Sequence, residues 1–275
     1  MGSKVVGEVH YPNCVIQFCL VMGLLFHQPL RQTTGLVSSI LLLLGRAYLP
    51  VPNFSTLCRR QGSLAASLGQ AFSSGKKINL AIDSTGLKVY GEGEWKVRKH
   101  GAGKRRTWRK LHVGIDLDTQ QIVCMKLSSN AEDDAAVAQE LVKGKTDQLK
   151  SFRGDGAYDD FKFREALGLQ VKQIIPPPKD AVVRKASKKK PVPAFLQERN
   201  QVVEYMQAHG REAWKEESGY HKRSLNEVAM FRFKTCFTAQ LRAHKLEHQQ
   251  TEALLKCVIL NRHTKLGMPR SYKVE

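Results

Sequence analysis

Apolar residues recur with a helical period in the first quarter of the chain and with strand-like spacing after it. Over positions 15–25 and again over 36–44 they return every three or four residues, the spacing that lines one face of an α-helix. Pro29, Pro50 and Pro52 punctuate these runs. Asn53 or Ser55 is placed to cap a further helix reaching about Leu68. Ser73-Ser74-Gly75 reads as a linker, so residues 1–75 are expected to form a helical N-terminal region.

The pattern changes at Lys76. Residues 78–83 form a short apolar run that ends in an acid. Residues 111–117 and 122–127 are strand-like, with Asp118-Thr119-Gln120-Gln121 as a hairpin turn. A helix is expected over 131–142, capped by Asn130. A strand over 149–153 leads into Gly154-Asp155-Gly156. A helix over 159–167 and a strand over 171–175 follow, closed by Pro176-Pro177-Pro178. Strand, hairpin, helix, strand, helix, strand is a mixed α/β layout. It resembles the ribonuclease-H-like fold, a mixed sheet flanked by helices, although other mixed-sheet folds share the pattern. Residues 176–218 read as an insertion, with a basic loop (Arg184, Lys185, Lys188, Lys189, Lys190) and a helix over 194–208. A long helix over 223–246 and a last one over 252–261 complete a second region, residues 76–275.

The 275 residues are enough for one large domain with a small appendage. Forty-four Lys and Arg stand against 25 Asp and Glu, a net charge of +19. A field of that size attracts polyanions, and nucleic acid is the first partner to expect. The six cysteines are scattered and no C-x-x-C occurs. A disulfide framework and a structural zinc site are therefore not expected, and a reducing, cytoplasmic compartment fits. The apolar run over 14–26 carries Gln17 and falls short of the roughly 20 residues that a spanning helix needs. No membrane role is expected.

Three acids carry the candidate chemistry. Asp83 ends an apolar strand and precedes Ser84-Thr85-Gly86. Asp155 sits between two glycines after another strand. Glu227 lies on a helix among basic and apolar neighbours. Cleaving and rejoining phosphodiesters needs divalent metal and hard oxygen ligands brought together from distant parts of the chain. Taken singly, each acid has an ordinary explanation: a turn or cap residue for either Asp, a solvated partner of Lys or Arg for the Glu. Asp116, Asp133 and Asp134 are read as turn and cap residues.

Residues 220–234 read YHKRSLNEVAMFRFK, placing Tyr220, Arg223, Glu227 and Lys234 in the spacing Y-x2-R-x3-E-x6-K. This resembles the signature of bacterial insertion-sequence transposases with a DDE catalytic domain. Residues 82–99 and 105–116 resemble the first-acid block of that group. GDGAYDD at 154–160 resembles the second-acid block, IIPPPK at 174–179 the next strand, and LNRHTKLGMP at 260–269 its usual end. The resemblance implies metal-dependent DNA cleavage at the ends of an element and strand transfer into target DNA. It implies Asp83, Asp155 and Glu227 as ligands of Mg²⁺ or Mn²⁺, two ions in all. Tyr220, Arg223 and Lys234 are implied DNA or active-site contacts. Bridging two DNA ends implies a homodimer or a larger assembly, associated with the bacterial nucleoid. Residues 1–10 do not resemble family sequence, and the alternative reading is a truncated, catalytically inactive DNA-binding remnant.

Between Lys96 and Lys110 lie eight Lys and Arg and no acid. Lys96, Arg98, Lys99, Arg105, Arg106, Arg109 and Lys110 are candidate phosphate contacts, and Trp108 is a candidate platform for an unpaired base. The competing reading is a solvated ribbon whose tryptophans fill the core. His244-Lys245-Leu246-Glu247-His248 fits a zinc-hydrolase pattern. The polar helix around it and the scarcity of later acids make it a decoy.

Overall fold

A computed structural model describes residues 11–64, 77–89, 108–185 and 191–267. Its centre is a mixed sheet of β1 (Ile78–Val89), β2 (Trp108–Asp116), β3 (Ile122–Ser129), β4 (Leu149–Arg153), β5 (Lys172–Ile174) and β6 (Gln240–Leu241). The strand order is β3-β2-β1-β4-β5, with β6 added to β1. β1, β2 and β3 pair antiparallel, while β4 runs parallel to β1 and β5 parallel to β4. This is the ribonuclease-H-like arrangement that the sequence pattern led us to expect.

The helices described are α1 (Asn13–Leu25), α2 (Leu30–Leu43), α3 (Phe54–Gln61), α4 (Asp134–Val142), α5 (Phe161–Leu167), α6 (Ala194–His209), α7 (Arg211–Ser218), α8 (Ser224–Phe237) and α9 (Leu246–Leu266). They cover both sides of the sheet, as the alternation of β1 requires. Leu80 and Ile82 pack with Ala135, Ala138 and Val142 of α4 and with Phe163 and Leu167 of α5. Ala81 and Leu87 point the other way, into a core with Leu111, Val113 and the helices α8 and α9. α8 buries Ala229, Met230, Phe233 and Phe237, whose spacing of three and four residues forms one apolar stripe. Full burial of each large side chain stabilises the fold by roughly 1.5–3 kcal/mol.

α1, α2 and α3 form a smaller core through Ile16, Cys19, Leu20, Val37 and Leu57, and Leu255 of α9 enters the same cluster. The N-terminal helices are therefore packed onto the last helix. Asn53 caps α3 by accepting from the Ser55 N–H, as its position in the sequence suggests. No single helix among the described residues is long and apolar enough to cross a membrane.

Four expectations are corrected. β1 does not end at Asp83 but continues to Val89, because β2 stays paired with it as far as Lys88 opposite Trp108. The cap of α4 is Asp133, which accepts from the Ala136 N–H, rather than Asn130. The helix expected over 223–246 is broken. α8 stops at Phe237, Thr238 takes a left-handed φ of 65°, and Gln240–Leu241 pairs with the far end of β1. α9 then begins at Leu246, held by Glu252, whose carboxylate accepts the N–H groups of Arg242 and Ala243. Lastly, the insertion holds a second helix, α7. It is split from α6 by Gly210 at φ 88°, a conformation that favours glycine.

The insertion is fastened by a buried charge cluster. Asp159 accepts from Arg164 at 2.7 Å and from Arg199 of α6 at 2.9 Å, with all three side chains nearly inaccessible to solvent. The ring of Phe161 lies beneath the guanidinium groups of Arg184 and Arg199.

Candidate active site

The parallel pairing of β1 with β4 ends where Ala81 faces Arg153. Asp83 and Asp155 each follow two residues later, at the carboxyl end of the segment over which the two parallel strands pair, although β1 itself runs on to Val89. Open α/β sheets place ligand sites at this end. The two strands leave the pair differently. β1 stays straight, held by Asp83 opposite Val113 on β2. β4 stops at Arg153, and Gly154 after it lies against the ring of Tyr158, where a Cβ would come within 2.6 Å of the ring. Asp155 then accepts from the Ala157 N–H at 2.9 Å and caps a short 3-10 turn, Gly156–Tyr158.

Glu227 arrives from the third direction. Asn226, fully buried, donates from its amide to the carbonyl oxygens of Ala81 at 2.9 Å and Val113 at 3.2 Å. Those bonds fix the first turn of α8 against β1 and β2, and they leave the adjacent Glu227 exposed at the rim. Arg223, on the 3-10 turn that precedes α8, joins the acids. Its Nη1 donates to Asp83 Oδ2 at 3.1 Å and its Nη2 to Glu227 Oε1 at 2.6 Å. Asp83 and Glu227 are thus separated by two hydrogen bonds and the width of one guanidinium. The Arg223 guanidinium lies over the ring of Tyr220, which packs in turn against Trp214.

The charges feel one another. Burial is the main reason that the Asp83 carboxyl titrates above its ordinary range. The Ser84 N–H and Arg223 oppose the rise, and the negative charges of Asp155 and Glu227 add to it. Partial burial works against the charge of Arg223. Tyr220, Asp83, Glu227 and Asp155 outweigh it and raise the guanidinium pKa.

The donor set fits a divalent cation. Its carboxylate oxygens are hard ligands, and a positive group, the Arg223 guanidinium, already spans two of the three acids. Among the described residues, no three His, Cys, Asp or Glu side chains are gathered as a finished metal cluster. Glu227 is held by Arg223.

Lys234 is exposed two turns after Glu227 on the same side of α8. Lys96, Arg98, Lys99, Arg105 and Arg106 lie outside the described residues, as does the loop 186–190. Arg109 and Lys110, expected at phosphates, are half-buried and make hydrogen bonds within the protein. Strand alternation turns them to opposite faces. Arg109 donates to Gln249 of α9 at 3.1 Å, and Lys110 pairs with Asp134 of α4 at 2.8 Å. Trp108 does not fill the core: it is 37% exposed, lies against Gly86 and has Lys88 over its ring. Asp116 is far from Asp83 along β2, opposite Leu80, and holds the hairpin turn through the Asp118 N–H and the Thr119 hydroxyl. Sequence reading missed Asn226, whose polarity in the middle of an apolar stripe was the available signal. It also missed Phe231, 68% exposed one turn after Glu227.

Comparison with known proteins decides the family. A family described as transposase DDE domain matches residues 74–262, and a second family of the same description matches residues 3–92. The chain belongs to the transposase DDE domain family. The match from residue 3 corrects the expectation that residues 1–10 depart from family sequence. Among solved structures, the chain is similar to a piggyBac transposase synaptic complex with hairpin DNA. Identity there is 12%, over 98% of this chain and 70% of that one, with a TM-score of 0.42. It is also similar to a Mos1 strand transfer complex, at 12% identity over 86% and 80% of the two chains and a TM-score of 0.25. A Mos1 mariner paired-end complex with Mn gives 12%, 86%, 81% and 0.25. For this transposase DDE domain the strand order, not these distant likenesses, carries the fold.

Proposed function

We propose that this transposase cuts DNA at the ends of a bacterial insertion sequence and joins the freed ends to target DNA. The observation that supports the reading best is the position of Asp83 and Asp155 just beyond the pairing of two adjacent parallel strands, with Glu227 joined to Asp83 through one guanidinium. Asp83, Asp155 and Glu227 would hold Mg²⁺ or Mn²⁺. Such ions lower the pKa of an attacking oxygen and stabilise the oxygen that leaves.

The chain's own residues would do the rest. Asn226 fixes the helix that carries Glu227. Exposed Lys234 and the mixed apolar and basic rim of α8 would hold the phosphate backbone. In the first reaction a water oxygen bonds to phosphorus, the bond from phosphorus to the 3′ oxygen breaks, and that oxygen takes a proton. In the second, the freed 3′-hydroxyl loses its proton and attacks a target phosphorus, displacing another 3′ oxygen. No covalent link to the protein is needed. Two ends joined in one event call for at least a dimer of this chain.

The test is Asp155→Asn assayed on DNA carrying the repeats that flank the gene. The variant should bind that DNA and lose metal-dependent cutting and joining by at least about a hundredfold, within the range that loss of charge stabilisation produces. Cutting at the unsubstituted rate would overturn the assignment.

A further inference from the structure

We propose that Arg223 couples the arrival of DNA to the loading of metal, serving as the internal counter-cation of the empty site and moving to a phosphate when DNA binds. The inference rests on the reading of Asp83, Asp155 and Glu227 as metal ligands.

The geometry sets up a competition. Arg223 grips Asp83 through one arm and Glu227 through the other, at 3.1 and 2.6 Å. The carboxylates it holds, those of Asp83 and Glu227, are the ones a divalent ion would draw on. A dication drawn to those oxygens competes with the guanidinium for them, because like charges so close repel in a partly buried setting. Arg223 is only partly exposed, whereas Glu227 lies well out in solvent. The route by which Arg223 leaves the acids therefore runs outward, to the solvent side on which Glu227 lies. A planar guanidinium released there presents a fork suited to a phosphate. Tyr220, beneath the guanidinium, gives it an apolar surface to slide on without losing its stacking partner. The turn carrying Tyr220 and Arg223 starts at Gly219, in a left-handed conformation at φ 67°, whose carbonyl accepts from Arg153. The base of the arm is thereby pinned to the end of β4, while its tip is held by the two carboxylates and the Tyr220 ring.

Two consequences follow from linkage. Metal bound without DNA has to displace Arg223 into water. With DNA present a phosphate accepts the same group, so metal and DNA should each tighten the binding of the other. Without Arg223, the acids should take metal readily and lose their dependence on DNA.

The experiment measures Mn²⁺ binding to the full chain by electron paramagnetic resonance, with and without a DNA duplex, after subtraction of binding to DNA alone. The unsubstituted protein should bind Mn²⁺ roughly tenfold more tightly with DNA, in the range typical of coupled sites. Arg223→Ala should bind Mn²⁺ tightly in both conditions, with the DNA effect gone. Arg223→Lys, able to reach only one carboxylate at a time, should fall between the two. Asp155→Asn should weaken binding in every case. An effect of DNA on Mn²⁺ affinity that persists undiminished in Arg223→Ala, or that is absent from the unsubstituted protein while Asp155→Asn still weakens binding, overturns the coupling and leaves the metal site standing. Mn²⁺ affinity that is indifferent to Asp155→Asn overturns both.

Discussion

The side-chain amide of Asn226 donates to the carbonyl of Ala81, two residues before Asp83. A second bond from the same amide reaches Val113, which sits opposite Asp83 on β2. One buried side chain therefore ties the helix of Glu227 to both strands that fix Asp83. Asn226→Ala should remove two buried hydrogen bonds between the helix and the sheet and cost about 1–3 kcal/mol of stability. Urea unfolding measures this. Catalysis should fall further than that loss explains, because Glu227 is no longer held in register.

Asp159 makes a second buried anchor, facing Arg164 and Arg199. Asp159→Ala would strand two guanidinium groups in a nearly dry setting, a change that typically costs about 3–5 kcal/mol. Arg199→Ala should cost less, since Asp159 keeps Arg164. Denaturant midpoints should rank the two in that order. The reverse ranking would show that the cluster contributes through the packing of Arg199 on Phe161 and not through charge.

The strands β1, β2 and β3 were legible because Ile, Leu and Val recur in them at a strand-like spacing. Asp155 stood out between two glycines after a strand, and Asp83 as the acid that closes an apolar run ahead of Ser84, Thr85 and Gly86, although β1 continues past it. Other features had no local signal. Ser84-Thr85-Gly86 looks like a turn, and only the register with β2 keeps β1 extended through it. The break at Thr238 contains neither Pro nor Gly. It arises because Leu241 is buried against the far end of β1, a tertiary demand that outweighs helix propensity. The bridge from Arg223 to Asp83 spans 140 positions. From the sequence, Arg223 shows only its i,i+4 relation to Glu227.

His112 is fully buried, with Nε2 2.8 Å from the Ser128 hydroxyl and Nδ1 3.6 Å from Asp134. Ser128 is buried as well, so this resembles a hydrolase triad in composition while serving as a polar core. Burial lowers the His112 pKa, chiefly against the opposing charge of Asp134; Lys110 and Lys126 lower it and Glu132 raises it. Because the unfolded chain binds that proton more readily, stability should be complete above about pH 6.5 and fall as the pH drops below it. Melting temperatures of the unsubstituted protein should show that slope, and His112→Asn should flatten it. A slope unchanged by the substitution would assign the acid sensitivity to other groups.

Phe231 stands exposed between Glu227 and Lys234 on the free side of α8. A large apolar ring in that place suits contact with a base or sugar beside the scissile phosphate. Phe231→Ala should leave the melting temperature almost unchanged, as expected for an exposed position, and weaken DNA binding severalfold in a fluorescence-anisotropy titration. Equal affinity would remove Phe231 from the DNA surface.

The convergence of three acids on metal is tested most directly by anomalous X-ray scattering from crystals of the protein with DNA grown in Mn²⁺. The predicted result is manganese density bounded by the carboxylates of Asp83, Asp155 and Glu227, with Arg223 withdrawn from them. Manganese bound elsewhere, with Arg223 still bridging Asp83 and Glu227 in the DNA complex, would contradict it.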